Sequence, residues 1–439
     1  MENRKESRIA VQLNLNVRGL QPSATLRINE RSAELARQGK SVYRLGFGQS
    51  PFPVPEPVVH ALRDNAHQKD YLPVKGLREL REAVAKFHNR HTGSQYTAED
   101  VLIGPGSKEL MFLLQLVYYG DLVIPRPSWV SYAPQARIAA RQVHWVPTKE
   151  EENWLMTPAQ LEKLCAKDPT HPRLLILNYP ANPTGATYSE DDLKAMAEVL
   201  EKYGVVVLSD EIYGEVHHDG THKSIASYYP EGTIISSGLS KWCGAGGWRL
   251  GTFAFPESMR WLLNAMAVAA SETFTSTSTP VQYAAVRAFQ NGPDLEEYLQ
   301  LSRMALKVVG QAVSDLLDDN NISHPAPQGG FYVFPNFEAY RGALADRNIL
   351  TSEELCENLL NETGVALLPA SDFGFPEEFL GARLSYVDFD GGAALEYIRG
   401  AASQNYQDAA ALAEQIAPKV MEGVRKIVEW VKIGMRDEG

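Results

Sequence analysis

The chain has 439 residues, of which 44% are apolar, and it carries 42 lysines and arginines against 54 aspartates and glutamates. This length and apolar content suffice for a large buried core, in two domains or in one large domain with appendages, and they exclude a disordered or fibrous protein. The net charge of −12, without a local basic patch, argues against nucleic acid or an anionic membrane as a partner.

Cysteine content and apolar runs indicate the compartment. Cys165, Cys243 and Cys356 lack Cys-x-x-Cys spacing, which argues against a disulfide framework or a metal site and favours a reducing environment. The polar start has no apolar signal region, and no run of 18 uninterrupted apolar residues follows. We therefore predict a cytoplasmic protein that does not span a membrane.

The N-terminal part predicts an arm followed by a helix. Within residues 1–24, apolar and polar residues alternate over 11–17, and the pattern breaks at Gly19 and Pro22. Because this segment would bury little surface alone, we expect it to lie on another surface. Residues 25–37 then have the spacing of an amphipathic helix.

The remaining pattern predicts an α/β fold. Strands and helices alternate to about residue 255, as in a mainly parallel sheet with right-handed crossovers. Helical patterns follow over 256–289 and 295–320. Short strands at 329–334, 365–369 and 382–387 surround a helix at 352–361, which indicates an α+β unit, and residues 393–439 look helical without a predicted function.

We thus predict a large domain, with a mainly parallel mixed sheet flanked by helices, and a smaller α+β domain built from the N- and C-terminal parts. The expected boundaries are 61–321 for the large domain and 25–60 with 322–439 for the small one.

One amine stands out among small residues. Lys241 follows an apolar strand, lies close to Gly244, Gly246 and Gly247, and precedes Arg249 by eight positions. A partly desolvated lysine loses its proton more easily and can attack a carbonyl to form a Schiff base, while an arginine fork suits a phosphate. A lone lysine in a glycine loop is more often a solvated charge, so other stretches must support this hypothesis.

Three other stretches do so. A buried strand ends in the turn Asn182-Pro-Thr-Gly185, and a second, over 205–209, ends in Asp210. Ligands collect at the carboxyl ends of such strands. A strand-glycine-helix connection at Gly106 and Ser107 exposes N–H groups that bind phosphate, although such connections also occur without a ligand.

These motifs resemble those of the class I/II aminotransferases of fold type I, the aspartate aminotransferase-like enzymes that depend on pyridoxal 5'-phosphate (PLP). The matching motifs stand in the family's order and spacing, and the similarity runs from about residue 43 to about 390. They are Asn182-Pro-Thr-Gly, Asp210-Glu-Ile-Tyr213 and Ser240-Lys241 followed by Gly247-Trp-Arg249.

The resemblance implies three catalytic residues. Lys241 would form the Schiff base and then move the α-proton, and Asp210 would keep the pyridine nitrogen protonated. Tyr213, together with Asn182, would hydrogen-bond to the phenolic oxygen of the ring. A helix N-cap is the alternative role for Asp210.

The resemblance also implies further cofactor and substrate contacts. Trp129 would stack on the ring, and Tyr71 would reach the phosphate from the neighbouring subunit of a homodimer. A buried core tryptophan and a packed tyrosine are the alternatives. The remaining predicted phosphate contacts are Gly106, Ser107, Lys108, Ser240 and Arg249.

The same family pattern assigns the substrate's α-carboxylate to Arg383, with Gly48 and Asn182 beside it. The alternatives are an arginine in a surface strand pair and a merely rigid, proline-rich connection after Gly48. One departure concerns Gly238, where the family commonly has a serine, so the hydroxyl groups at the phosphate are not determined.

The function implied is transfer of an amino group from an α-amino acid to a 2-oxo acid, with 2-oxoglutarate expected, by a ping-pong mechanism. A PLP-dependent C–S β-lyase or related lyase or synthase would use the same residues. An aminotransferase-like transcription regulator would need a basic DNA-binding module, for which the arm before Thr25 has no room. A purely structural protein is the third alternative.

Overall fold

A seven-stranded sheet forms the centre of the computed structural model, which describes residues 12–20, 22, 24–290, 292–401 and 409–433. Its strands are β1 (Val101–Gly104), β2 (Asp121–Arg126), β3 (Val143–Pro147), β4 (Arg173–Asn178), β5 (Val206–Asp210), β6 (Thr233–Gly238) and β7 (Gly251–Ala254). The strand order is β1-β7-β6-β5-β4-β2-β3. Strand β7 runs antiparallel to β1 and β6, and the other neighbouring strands pair in parallel. The predicted mainly parallel mixed sheet is confirmed.

Helices cover both faces of this sheet. The helices of the described residues are α1 (Ala24–Arg37), α2 (Glu56–Asn65), α3 (Arg78–Thr92), α4 (Ser107–Val117), α5 (Tyr132–Ile138), α6 (Pro158–Cys165), α7 (Glu190–Tyr203), α8 (Arg260–Ser271), α9 (Thr279–Gln290), α10 (Pro293–Asp318), α11 (Arg341–Ala345), α12 (Ser352–Thr363), α13 (Gly391–Ala401), α14 (Ala409–Ile416) and α15 (Pro418–Val431).

Alternation along the strands explains the three layers. In β4, Leu174 and Ile176 pack with apolar residues of α4, α5 and α8, whereas Leu175 and Leu177 pack with those of α6 and α7. Successive side chains of a strand point to opposite faces, so an entirely apolar strand must be covered on both. The sheet register then places Asn178 beside Asp210 at the carboxyl ends of the parallel strands.

A second, small sheet lies in the C-terminal part. Its strands are β8 (Tyr332–Val333), β9 (Leu368–Pro369) and β10 (Ala382–Ser385), antiparallel in the order β8-β10-β9. Tyr43, from the N-terminal part, pairs with Val365 next to this sheet. The N- and C-terminal parts therefore meet as predicted, while the exact domain boundaries remain a prediction.

The structure describes both ends of the chain only in part. Residues 15–19 form turns, and Arg137 of α5 donates to the carbonyl of Arg18, so the described part of the arm lies against the large sheet's helices. Residues 1–11, 21 and 23 of the predicted arm, and residues 402–408 and 434–439 of the predicted helical C-terminal part, lie outside the described residues. In the described parts of the chain, no helix is long and apolar enough to cross a membrane.

Candidate active site

Lys241 lies in the loop that follows β6, with its side chain directed into the protein. Its Nζ donates a hydrogen bond to the carbonyl of Gly48 at 2.5 Å and lies 5.4 Å from the centroid of the Tyr213 ring. Burial, followed by the positive charge of Arg383, lowers the pKa of Lys241 to about 7, although the Asp210 carboxylate opposes the shift. Near neutral pH, much of this amine is therefore unprotonated and able to act as a nucleophile or base.

This lowered pKa predicts a pH-dependent cost in stability. Because the folded chain favours the neutral amine, burial of Lys241 costs little stability above pH 10.5. The cost grows as the pH falls from 10.5 to about 7, and below about 7 it is fully present. We expect Lys241→Met to raise the free energy of unfolding of the apoprotein by on the order of 2 kcal/mol at pH 6, and by less at pH 10. Urea unfolding at both pH values measures the difference.

Lys202→Met is the matched control, because this lysine is exposed and pairs with Glu162 at 2.6 Å. It should change the unfolding free energy little at either pH. An equal gain in the free energy of unfolding for Lys241→Met at pH 6 and pH 10 would contradict the lowered pKa of Lys241.

Asp210 ends β5 as a buried carboxylate, 3% exposed. It accepts hydrogen bonds from the Tyr132 hydroxyl at 2.5 Å and the Ser236 hydroxyl at 3.3 Å. Burial raises the pKa of Asp210 to about 6, against the opposing effect of these hydrogen bonds. Above that pH the site holds a desolvated negative charge, which a cationic ligand group would stabilise.

Two asparagines fix the adjoining turn. Asn178 donates through its side-chain amide to the backbone carbonyl of Asp210 at 2.9 Å, and its side-chain oxygen accepts from the backbone N–H of Asn182 at 2.7 Å. The Asn182 side-chain oxygen in turn accepts from Arg383 at 3.2 Å. The turn after β4 thus connects the carboxylate region to the guanidinium group of β10.

Arg383 is 2% exposed, with its guanidinium carbon 4.6 Å from the centroid of the Tyr332 ring. It donates to the Gly46 carbonyl at 2.7 Å, but its buried Nε has no hydrogen-bond partner among the described residues. A buried guanidinium with an unsatisfied N–H is suited to a planar anion such as a carboxylate. The alternative of an arginine in a surface strand pair is inconsistent with this burial.

We expect Arg383→Lys to raise the KM for the amino acid about 10- to 100-fold, because the bidentate fork is lost while the charge is kept. Steady-state kinetics in both directions measure the effect. Arg347→Lys is the matched control, since Arg347 also stacks on an aromatic ring, that of Trp430, at 4.1 Å. An unchanged KM for Arg383→Lys would assign the carboxylate to another group.

A second group of positively charged side chains surrounds the start of α4. The glycine at 106 is required here, because a Cβ would lie 2.1 Å from an Arg249 guanidinium nitrogen and the backbone is left-handed with φ +93°. Lys108 lies two residues further on, in the first turn of α4, and burial, followed by the charge of Arg249, lowers its pKa. Free N–H groups, a guanidinium and an amine therefore converge, as a phosphate requires.

The remaining predicted residues differ in their positions. Ser240 packs near the Gly246 turn, whose carbonyl accepts from Arg249 at 2.9 Å. Trp129 lies with its ring centroid 5.0 Å from the Lys108 amine. Tyr71 is 89% exposed, so within a single chain it does not line the site.

The structure explains the glycine at 238. A Cβ at this position would lie 2.6 Å from the backbone carbonyl oxygen of Leu250. Any residue with a side chain, serine included, would force the backbones of β6 and β7 apart. No hydroxyl at this position contacts a phosphate in this chain.

Sequence reasoning missed three residues that complete the site. Tyr132 and Ser236 hydrogen-bond to Asp210, and the Tyr332 hydroxyl lies 2.8 Å from that of Tyr213. Tyr132 lies three residues after Trp129, on the first turn of α5, so its position near a predicted ring contact was the available signal. Tyr332 had no local signal, because its partner is 119 residues away in the chain.

Comparison with known proteins identifies the family. A family model described as aminotransferase class I and II matches residues 40–386. The chain belongs to the class I and II aminotransferases. This aminotransferase moves an amino group between an amino acid and an oxo acid, and its family uses PLP.

Similar proteins cover most of this aminotransferase. The aspartate aminotransferase of Geobacillus stearothermophilus is 35% identical over 383 residues, which cover 84% of this chain and 93% of that protein. The aspartate/prephenate aminotransferase of Thermus thermophilus is 32% identical, covering 85% and 94%. A solved structure of the Thermus thermophilus aspartate aminotransferase with maleate aligns with a TM-score of 0.79 at 31% identity, covering 89% of this chain and 99% of that one. The predicted family and fold type are confirmed.

Proposed function

We propose that this aminotransferase binds PLP and passes an amino group from an α-amino acid to 2-oxoglutarate in two half-reactions. The observation that carries the proposal is the Lys241 amine, which bonds to the Gly48 carbonyl and lies against the Tyr213 ring, with its pKa lowered to about 7 by burial and by the charge of Arg383. When bound, PLP supplies an aldehyde that condenses with amines and a ring that accepts an electron pair. A nucleophilic amine, a buried carboxylate and a carboxylate-binding arginine are the groups that this chemistry requires.

The residues of the chain would have the following roles. Lys241 would hold the cofactor and then carry a proton to and from the substrate's α-carbon, as nucleophile and as general base. Asp210 would keep the ring nitrogen protonated, with Tyr132 and Ser236 holding its oxygens in place. Tyr213 would donate to the ring oxygen.

Binding would be shared between two positively charged regions. Gly106, Ser107, Lys108, Ser240 and Arg249 would hold the phosphate, and Trp129 would lie against the ring. Arg383 would bind the α-carboxylate, with Asn182 and the segment around Gly48 fixing the guanidinium and the Lys241 amine.

We further propose a homodimer in which Tyr71 completes the phosphate site of the neighbouring subunit. Its 89% exposure in the single chain agrees with such a role. The cytoplasm is the proposed location, in keeping with free and buried Cys165, Cys243 and Cys356.

The test is a panel of amino donors with 2-oxoglutarate, read as formation of the new oxo acid and glutamate. Aspartate is the first donor to test, because several similar proteins are named aspartate aminotransferases. Stoichiometric oxo acid without release of ammonia or thiol supports transfer. Release of ammonia or thiol from the same mixture would instead support a β-lyase. Absence of a protein-bound visible absorbance band after incubation with PLP and removal of free PLP would reject both.

A further inference from the structure

Tyr332 contacts both Tyr213, which is proposed to bind the cofactor, and Arg383, which is proposed to bind the substrate. Its hydroxyl lies 2.8 Å from the hydroxyl of Tyr213, and its ring centroid lies 4.6 Å from the guanidinium carbon of Arg383. A Cβ on Gly48 would lie 2.5 Å from the Tyr332 hydroxyl oxygen. The buried Tyr332 side chain thus fills the space that the glycine leaves open, next to the carbonyl that accepts from Lys241.

The direction of the hydrogen bond between the two tyrosines matters for the chemistry. Burial holds the pKa of each phenol above its usual value, so both carry their proton near neutral pH. A phenol has one proton to donate. If Tyr332 donates to Tyr213, the Tyr213 proton is free for another acceptor. If Tyr213 donates to Tyr332 instead, that proton is already in a hydrogen bond.

The surrounding charges favour donation by Tyr332. The groups that act on the pair are Arg383 from β10, Asp210 from β5 and Lys241 from the loop after β6. The Arg383 guanidinium lies against the Tyr332 ring, and its positive charge acts to lower the pKa of both phenols, so the difference between them comes from Asp210. The Asp210 carboxylate raises the pKa of Tyr213, which makes Tyr213 the weaker acid of the two.

We infer, on the basis of the proposed function, that Tyr332 is a positioning residue that donates to Tyr213 and so directs the Tyr213 proton toward the ring oxygen of the cofactor. A hydroxyl that accepts a hydrogen bond is a better donor itself. Tyr332 therefore strengthens the donation by Tyr213. When PLP is bound, stronger donation to its ring oxygen would favour loss of a proton from the Lys241 nitrogen.

The test is the pH midpoint of the visible absorbance change of the PLP-loaded enzyme. We expect Tyr332→Phe to raise this midpoint by about 0.5 unit, since part of one hydrogen bond is lost. The KM for the amino donor should stay within about twofold, because the aromatic ring against Arg383 remains. Tyr332→Leu, which also removes the ring, should raise the KM by more than the Phe variant does.

A double-variant cycle separates positioning from a merely structural role. In a Tyr213→Phe background, Tyr332→Phe should give no further shift of the midpoint, because its effect passes through the Tyr213 hydroxyl. Tyr340→Phe is the matched control. It removes another buried hydroxyl, which donates to the carbonyl of Asn320 at 2.5 Å, and should leave the midpoint unchanged.

Two results would overturn the inference: a wild-type midpoint in Tyr332→Phe, or a shift of equal size in the Tyr213→Phe background. If the Phe variant fails to hold PLP, 3-fluorotyrosine placed at position 332 provides a second test. Its more acidic phenol should lower the midpoint, and an unchanged midpoint would overturn the inference. A wild-type enzyme without any visible band would instead reject the proposed function itself.

Discussion

Lys241→Ala is expected to abolish turnover, with a loss of about 10⁴-fold or more in kcat/KM. The reason is that one amine serves as nucleophile and as general base, and the described site offers no second buried amine with its pKa lowered to about 7. Steady-state assays of oxo-acid formation measure the loss. Borohydride treatment followed by mass spectrometry should modify the wild-type protein at Lys241 and leave the variant unmodified.

Lys202→Ala serves as the control for this variant. Lys202 is 59% exposed and pairs with Glu162 on the protein surface, so its loss should leave kcat/KM unchanged. Full activity in Lys241→Ala would show that the amine is not part of the reaction, and the proposed function would then fail.

Asp210→Asn is expected to lower kcat by between about 10² and 10⁴. The amide keeps the shape of the carboxylate but removes the negative charge that would hold a proton on the ring nitrogen. The same change also replaces an acceptor of the Tyr132 hydrogen bond by a group that both donates and accepts. Single-turnover kinetics of each half-reaction, with the KM measured in parallel, would locate the loss in the chemical step.

Asp100→Asn is the matched control, because Asp100 is equally buried and binds Arg260 at 2.6 Å, away from the site residues. This variant should lose stability while the folded enzyme keeps its kcat. If Asp210→Asn lost stability but retained kcat, Asp210 would have the structural role that Asp100 has.

The sequence alone was sufficient for the family and the α/β class, and it also supplied the residues of the proposed site. Short motifs around Asn182, Asp210 and Lys241 stand at the ends of apolar strands, and strand ends in a parallel sheet meet at one edge. Local patterns therefore determine which side chains come together there. The helical pattern at 295–320 likewise predicted α10, since its apolar spacing continues for several turns.

Only the tertiary structure decided the contacts between segments far apart in the chain. The bond between Tyr332 and Tyr213, the carbonyl of Gly48 on Lys241, and the clash that excludes a serine at Gly238 all depend on backbones that pack together after folding. The shifted pKa values of Lys241 and Asp210 also depend on the tertiary structure, because burial is the largest cause of each shift. The sequence specifies which functional group a residue carries, whereas desolvation and long-range packing set the pKa of that group and its hydrogen-bond partners.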